Sequence, residues 1–429
     1  MKQLLVPVLL FVCFSFHQAF ANDTLSKKPS RPSPDADVTL KLPAGFSALV
    51  FAENLSHARH MAINSNGDVY VKLERLKDGK GIYKLTDRAN KGKAETMTGF
   101  GNYIGTGMAI KNGYLYATSN TTIYRYKLGT NNQVLDPSKP EVIVSGLTDQ
   151  GQHNSKSIVL DNAGNIYVNV GAPSNACQEQ DRTRGSHGKD PCPILEYGGG
   201  IWQFKADKPG QTMKDGVHYA SGIRNTVGLD WNNNVNELFA MQHGRDQLSD
   251  NWPELFSDSV SSELPAEEML EVKQGSNFGW PYCYFDPFQN KKMLAPEYGG
   301  DGKTQGRCAE VTPPVIAFPA HMAPDGLLFY TGNMFPERYK NGAFIAFHGS
   351  WNRAPLNQKG FFVAFVPFKN GRPSGNWEFF ATGFAGKADI ASPNQALHRP
   401  CGLAQGPDGA LYVSDDQKGT IWKIVYKSK

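Results

Sequence analysis

Apolar and polar positions along the chain fall into short runs separated by turn residues, and one arrangement recurs. "HMAINSNGDVYVKLE", "GMAIKNGYLYATSN", "SIVLDNAGNIYVNVG", "GLDWNNNVNELFAMQHG" and "GLAQGPDGALYVSDD" share it. Each reads as a short apolar strand, a turn carrying Asn, Asp or Gly, and a second β-branched or aromatic strand. A looser sixth copy is "GLLFYTG", an insertion, then "KNGAFIAFHG". Long stretches with a helical period are scarce, and the acidic segment Glu263 to Val272 is the best short helix candidate.

A repeat of this kind, at about four strands per unit, predicts an all-β fold: a six-bladed β-propeller. The spacing of the copies widens in the second half, which predicts loop insertions on one face. The two strands of a hairpin are antiparallel, so the residue entering the first and the residue leaving the second lie at the same end. In a propeller those positions ring one axis. The entering residues are Arg59, His153, Arg224, Asn225, His321 and Arg399. The leaving residues form "HGRD", His243 to Asp246, and "HGSWNR", His348 to Arg353. The strand pattern does not require this chemistry, so its recurrence predicts a cationic, His-containing pocket with an aromatic wall at one mouth of the channel.

Composition limits the alternatives. Of the 429 residues, 40% are hydrophobic and 20% charged, enough for a packed core over most of the chain. The formal net charge of +4 gives no global field of the kind that holds nucleic acid. At the N-terminus, Lys2, the apolar run Leu4 to Phe16 and the Ala19-Phe20-Ala21 site read as a signal peptide over residues 1–21. That run is short for a bilayer span of roughly 20 residues, so no membrane span is expected in the mature protein. Residues 22–37 are polar and proline-rich and read as a flexible leader, which leaves 38–429 for the propeller. Export to the periplasm or medium permits disulfides. The expected pairs are Cys177–Cys192 and Cys283–Cys308, with Cys401 a buried free thiol, although spacing alone does not fix connectivity.

The candidate residues carry definite chemistry. Guanidinium forks match carboxylates or phosphates, so converging arginines imply either local carboxylate partners or a polyanionic ligand. For a single arginine the salt bridge is as good an explanation; for the set, a site is the better one. His153 is the candidate general base, with His321 and His348 as competitors. Trp351 beside Asn352 and Arg353 offers a surface on which a flat ligand can stack. The loop around Gly244 and Arg245 offers carbonyl oxygens of the kind calcium takes, or is a plain turn with an Arg–Asp pair. Close His and Cys spacing for zinc is missing, and so is a C-x-x-C-H haem motif.

Several motifs resemble one family. "GIRNTVGLDW", "HGRD" followed by "GSNFGWPYC", "HMAPDGLLFYTG", "FHGSWNR" and "RPCGLAQGPDGALYVSDD" are similar to those of exported quinoprotein sugar dehydrogenases, over about Leu42 to Tyr426. "FHGSWNR" and "GSNFGWPYC" look closer to the sorbosone and pyranose dehydrogenase branch than to soluble glucose dehydrogenase. The resemblance implies a six-bladed propeller that uses pyrroloquinoline quinone (PQQ) and calcium to oxidise a sugar. It implies His153 as the base. It also implies cofactor contacts from Arg59, Arg224, Asn225, Trp351, Asn352, Arg353 and Arg399, and calcium on the carbonyls of Gly244 and Arg245. Electrons would leave to a separate acceptor, a cytochrome or quinone. Two other readings remain: a calcium-dependent propeller hydrolase, which needs Asp, Glu and Asn around a metal, and a non-catalytic propeller that binds glycans or proteins.

Overall fold

In the computed structural model, which describes residues 40–427, each repeated hairpin forms the two inner strands of one sheet. Ala58–Ile63 pairs with Val69–Lys77, Met108–Lys111 with Tyr114–Thr118, and Ile158–Leu160 with Asn165–Val170. Thr226–Asn232 pairs with Glu237–Gln242, Pro324–Phe329 with Ala343–Phe347, and Pro400–Gln405 with Leu411–Asp415. All six pairs are antiparallel, and outer strands extend each to four, with a fifth, two-residue strand pairing parallel at the edge of the second and third blades. The innermost strands neighbour one another in sequence order, and the last also neighbours the first. The result is a six-bladed β-propeller. The expected signal peptide and leader lie outside the described residues.

Closure comes from the chain's own ends. Phe46–Ala52 pairs antiparallel with Ile421–Tyr426 as the outer strand of the sixth blade, with Phe46 opposite Tyr426 and Val50 opposite Trp422. Alternation explains the placement: Ser47 and Leu49 face solvent while Phe46, Ala48 and Val50 face the core. The Phe46 ring lies 4.8 Å from Phe335, 5.0 Å from Phe380 and 4.9 Å from Tyr426. Every seam between adjacent blades has its own apolar cluster, such as Phe344, Phe365, Leu411 and Trp422 between the fifth and sixth. The innermost strands leave an axial channel of about 300 Å³.

The acidic segment read as a helix is instead largely a strand. Glu267–Val272 is the third strand of the fourth blade, paired with Glu237–Gln242 on one side and Ile316–Phe318 on the other. Tertiary pairing overrides local propensity because the glutamates are bonded rather than solvated. Glu267 accepts from the backbone N–H groups of Gly244, Met322 and Ala323, and Glu268 pairs with Lys292 at 2.6 Å. Among the described residues the two α-helices are short, Leu248–Asn251 and Asp258–Ser261.

Several insertions gather at one end, whereas the one joining Pro324–Phe329 to Ala343–Phe347 lies at the other, against the turn at Gly409. Cys177–Cys192 and Cys283–Cys308 staple two of them, and Cys401 is free and buried, as expected. Asn175 donates to the Asp246 carbonyl at 2.9 Å, and Trp280 Nε1 donates to the Asn175 carbonyl at 2.9 Å. Among the described residues no helix is long and apolar enough to cross a membrane. If the closing strand holds the ring, Phe46→Ala lowers stability by about 2–3 kcal/mol. Ser47→Ala on the solvent face of that strand changes it by less than about 0.5 kcal/mol. Urea unfolding of both variants measures the difference.

Candidate functional site

The loops at the insertion-bearing end deliver side chains from several blades to the channel mouth. Asp325, near the start of the fifth blade's innermost strand, is the point where they meet. Its carboxylate lies 3.5 Å from Arg59 Nη1, 3.3 Å from His243 Nε2 and 3.6 Å from His348 Nδ1. Asp416, leaving the second strand of the sixth blade, takes Arg59 Nη1 at 2.6 Å and His348 Nε2 at 2.6 Å. Arg399 donates to the carbonyls of His348 and Gly349. Burial alone would raise the Asp325 and Asp416 carboxyls. The neighbouring His348 and Arg59, with His243 at Asp325 and Arg399 at Asp416, more than offset this and hold both well below the ordinary range.

A second group adjoins the first. Arg224 Nη2 pairs with Asp246 Oδ2 at 2.6 Å, and Arg182 Nη2 reaches the same oxygen at 3.1 Å. His153 lies beside them. Its Nδ1 donates to the Ala172 carbonyl at 2.6 Å, which leaves Nε2 as the lone-pair nitrogen. Burial, then the positive charge of Arg224, push the imidazole pKa down to about 3, so the ring is neutral at physiological pH. His153 adopts φ 51°, and a Cβ on Gly171 would lie 2.7 Å from its own Cβ. Glycine at 171 is what lets the second strand of the third blade exit against this loop. Arg59 Nη2 reaches Ser155 Oγ at 3.5 Å, tying the first group to the His153 loop.

The other candidates separate by role. His321 is 2% exposed, and its Nε2 donates to the carbonyls of Ser261 and Leu264 at 2.9 and 2.8 Å, so it clasps a loop. Asn352 packs its amide on that ring, and Arg353 turns inward onto Glu263 and the Ser262 carbonyl. Asn225 accepts from Asn169 Nδ2 at 3.2 Å. The Arg245 side chain runs beneath the loop to Glu297 at 2.5 Å. Trp351 is 50% exposed, with Arg182 5.8 Å from its ring centroid. Arg59, Arg224, Arg399, His153, His243 and His348 therefore share the mouth. Arg353 spends its whole guanidinium on the protein, whereas Asn225 is bonded through Oδ1 and Asn352 through Nδ2.

The sequence reading placed Asp246 at the mouth with the basic groups but missed Asp325 and Asp416, the carboxylates that organise the first group. Asp416 leaves the second strand of the sixth blade much as "HGRD" and "HGSWNR" leave theirs, so the same positional rule applied to acidic residues finds it. Arg182 stands in an insertion, beyond the reach of any repeat rule.

Two ligand chemistries can be tested on these residues. Arg59 Nε and Arg224 Nε are buried and have no hydrogen-bond partner, so each guanidinium keeps an unspent donor, as an anion site requires. A flat, carboxylate-bearing group fits this donor set. Calcium fits less well. The Gly244 carbonyl accepts Arg224 Nη1 at 3.0 Å, and a guanidinium on that oxygen repels a second cation. No cluster of three His, Cys, Asp or Glu side chains able to hold a metal occurs among the described residues.

Comparison with known proteins agrees with the fold. A PQQ-dependent sugar dehydrogenase of Hypocrea jecorina is 22% identical over 405 residues, covering 89% of this chain and 88% of its own. A PQQ-dependent pyranose dehydrogenase of Coprinopsis cinerea is 26% identical over 285 residues, 56% of this chain but only 36% of that longer protein. An uncharacterized protein of Borreliella burgdorferi is 31% identical over 218 residues, about half of each chain. Among solved structures, a carbohydrate-active enzyme of family AA12 from Trichoderma reesei superposes with a TM-score of 0.74 at 20% identity, covering 91% of this chain and 97% of its own. The PQQ domain of the Coprinopsis cinerea pyranose dehydrogenase gives 0.72 at 20% identity, covering 92% and 99%. The TrAA12-like family model matches residues 40–427, and the chain belongs to that family.

Proposed function

We propose that this protein is a quinoprotein oxidoreductase that oxidises a sugar, an aldose, sorbosone or other pyranose, with PQQ as its oxidant. The observation that carries the reading is the neutral His153 imidazole, fixed by the Ala172 carbonyl and set beside arginines that retain buried, unspent donors. The names of the relatives support the cofactor and substrate class. PQQ, when bound, supplies a planar tricarboxylate ortho-quinone able to accept a hydride.

The chain's own residues supply the rest. Arg59, Arg224 and Arg399 hold carboxylates at the mouth. Trp351, half exposed beside Arg182, gives a flat face for a ring. His153 Nε2 would take the proton from the substrate hydroxyl borne by the carbon that is oxidised. Asn352 and Arg353 act through the loop, by locking the segment that presents Trp351. The Gly244–Arg245 loop would hold calcium only if Arg224 left the Gly244 carbonyl. The two disulfides suit an exported protein, periplasmic or secreted, and reduced cofactor would pass electrons to a separate cytochrome or quinone.

Reconstitution tests the proposal directly: purified protein is given PQQ, with and without calcium, and dye reduction is followed across a sugar panel. Turnover with at least one sugar is expected, and failure to take up PQQ removes the cofactor reading. His153→Ala should lose about 10²–10⁴ of turnover while its PQQ affinity stays within about tenfold of the parent. Near-normal turnover in that variant removes the base assignment.

His153 also predicts a pH effect on stability. The ordinary imidazole value is 6.5 and the folded value about 3. Between those limits the unfolded chain holds a proton at His153 that the folded chain does not, so this residue's contribution falls as pH drops through the window. His153→Gln removes it. The loss of unfolding free energy between pH 7 and pH 4.5, measured in urea, should be smaller in the variant than in the parent.

A further inference from the structure

Three groups at the mouth, Arg59 and His348 buried and His243 half-buried, come from different blades yet share one acidic partner. Arg59 enters the first blade, His243 leaves the second strand of the fourth, and His348 leaves the second strand of the fifth. Asp325 meets all three within 3.3–3.6 Å while itself 4% exposed. Its backbone carbonyl also accepts His60 Nε2 at 2.9 Å, so the carbonyl and carboxylate of one residue hold groups from three other segments.

Other features of the molecule carry less. The axial channel is mostly apolar, and its one carboxylate, Asp230, is already bonded to the N–H groups of Trp231 and Phe329. Lys72 is fully buried, but its ammonium donates to the carbonyls of Gly81 and Tyr103. Asp325 differs because one of its partners, Arg59, is a residue that the proposed function uses, and the other two stand at the same mouth.

We propose that Asp325 is a positioning residue: its single carboxylate fixes Arg59, His243 and His348 at the channel mouth and sets the orientation in which they meet a ligand. His243 shows the arrangement most directly: its Nε2 lies 3.3 Å from Asp325 Oδ1 and 3.4 Å from the Pro324 carbonyl, so Asp325 and its neighbour hold the ring together.

A bare charge effect and a positioning effect predict opposite signs. Removing a negative charge from an anion site strengthens anion binding by Coulomb's law. Removing the residue that orders the cations weakens it. Only the affinity readout rests on the PQQ reading. In Asp325→Asn, shown folded by circular dichroism and thermal unfolding, PQQ affinity measured by fluorescence quenching should fall about tenfold or more. A crystal structure of that variant without cofactor should show His243 and His348 turned away from the positions they hold in the parent. Asp416→Asn, which loses contacts to Arg59 and His348 only, should leave His243 in place. Unchanged or tighter PQQ binding in Asp325→Asn, or a His243 and His348 that both keep their parent positions, overturns the proposal. If that variant does not fold, Asp325→Glu, which keeps the charge but displaces the carboxylate, takes its place, and the same two readouts decide. If the parent takes up no PQQ, the cofactor reading fails and the variant's structure alone judges Asp325.

Discussion

The pairing of Phe46–Ala52 with Ile421–Tyr426 is the contact on which everything else depends. A propeller sheet buries its faces only against neighbouring sheets, so an open ring would expose two seams of aromatic and branched side chains. Closure also has a chemical consequence. It brings Arg59 of the first blade to Asp416 of the sixth, residues separated by 357 positions in sequence and 2.6 Å in space. The mouth is therefore a property of the closed ring, and no single blade contains it.

Concentrating charge at that mouth is tolerable only because cations and carboxylates alternate. Arg59, Arg224 and Arg182 face Asp325, Asp416 and Asp246 at hydrogen-bonding or near-hydrogen-bonding distances. An unpaired buried guanidinium would be costly. The pairing leaves Nε of Arg59 and of Arg224 without partners, so the network is satisfied for charge but not for hydrogen bonds. That residue of unspent donors separates an anion site from an ordinary ion-pair cluster. A calcium-dependent hydrolase would need the reverse, carboxylates facing a metal, whereas here Asp246, Asp325 and Asp416 are turned onto arginines and histidines.

Much of this was legible in the sequence because the repeat is geometric. Five hairpins and a looser sixth gave the blade number, and the antiparallel rule located Arg59, His153, Arg224 and Arg399 at one end before any coordinate. What the sequence could not convey was direction. Arg353 and Asn352 stand in the same motif as Trp351, yet the first two turn into the loop and only the third turns out, because Glu263, Ser262 and His321 from a separate insertion receive them. The Glu263 to Val272 segment failed for a related reason. Its glutamates resemble a solvated helix face until Gly244, Met322, Ala323 and Lys292 arrive from elsewhere to bond them.

The depressed pKa of His153 has a further meaning for its role. A base with a pKa near 3 is always available but weak, and proton transfer is most effective when the pKa lies near the working pH. The depression has two named sources, burial and the positive charge of Arg224. Burial is built into the loop, but the charge is conditional. A carboxylate ligand bound on the Arg224 guanidinium would cancel part of it and raise the imidazole toward neutrality. The same contact that holds an anion would then strengthen the base beside it. If Arg224 holds the cofactor as proposed, it would link anion binding to proton abstraction, with His153 a weaker base until the mouth is filled.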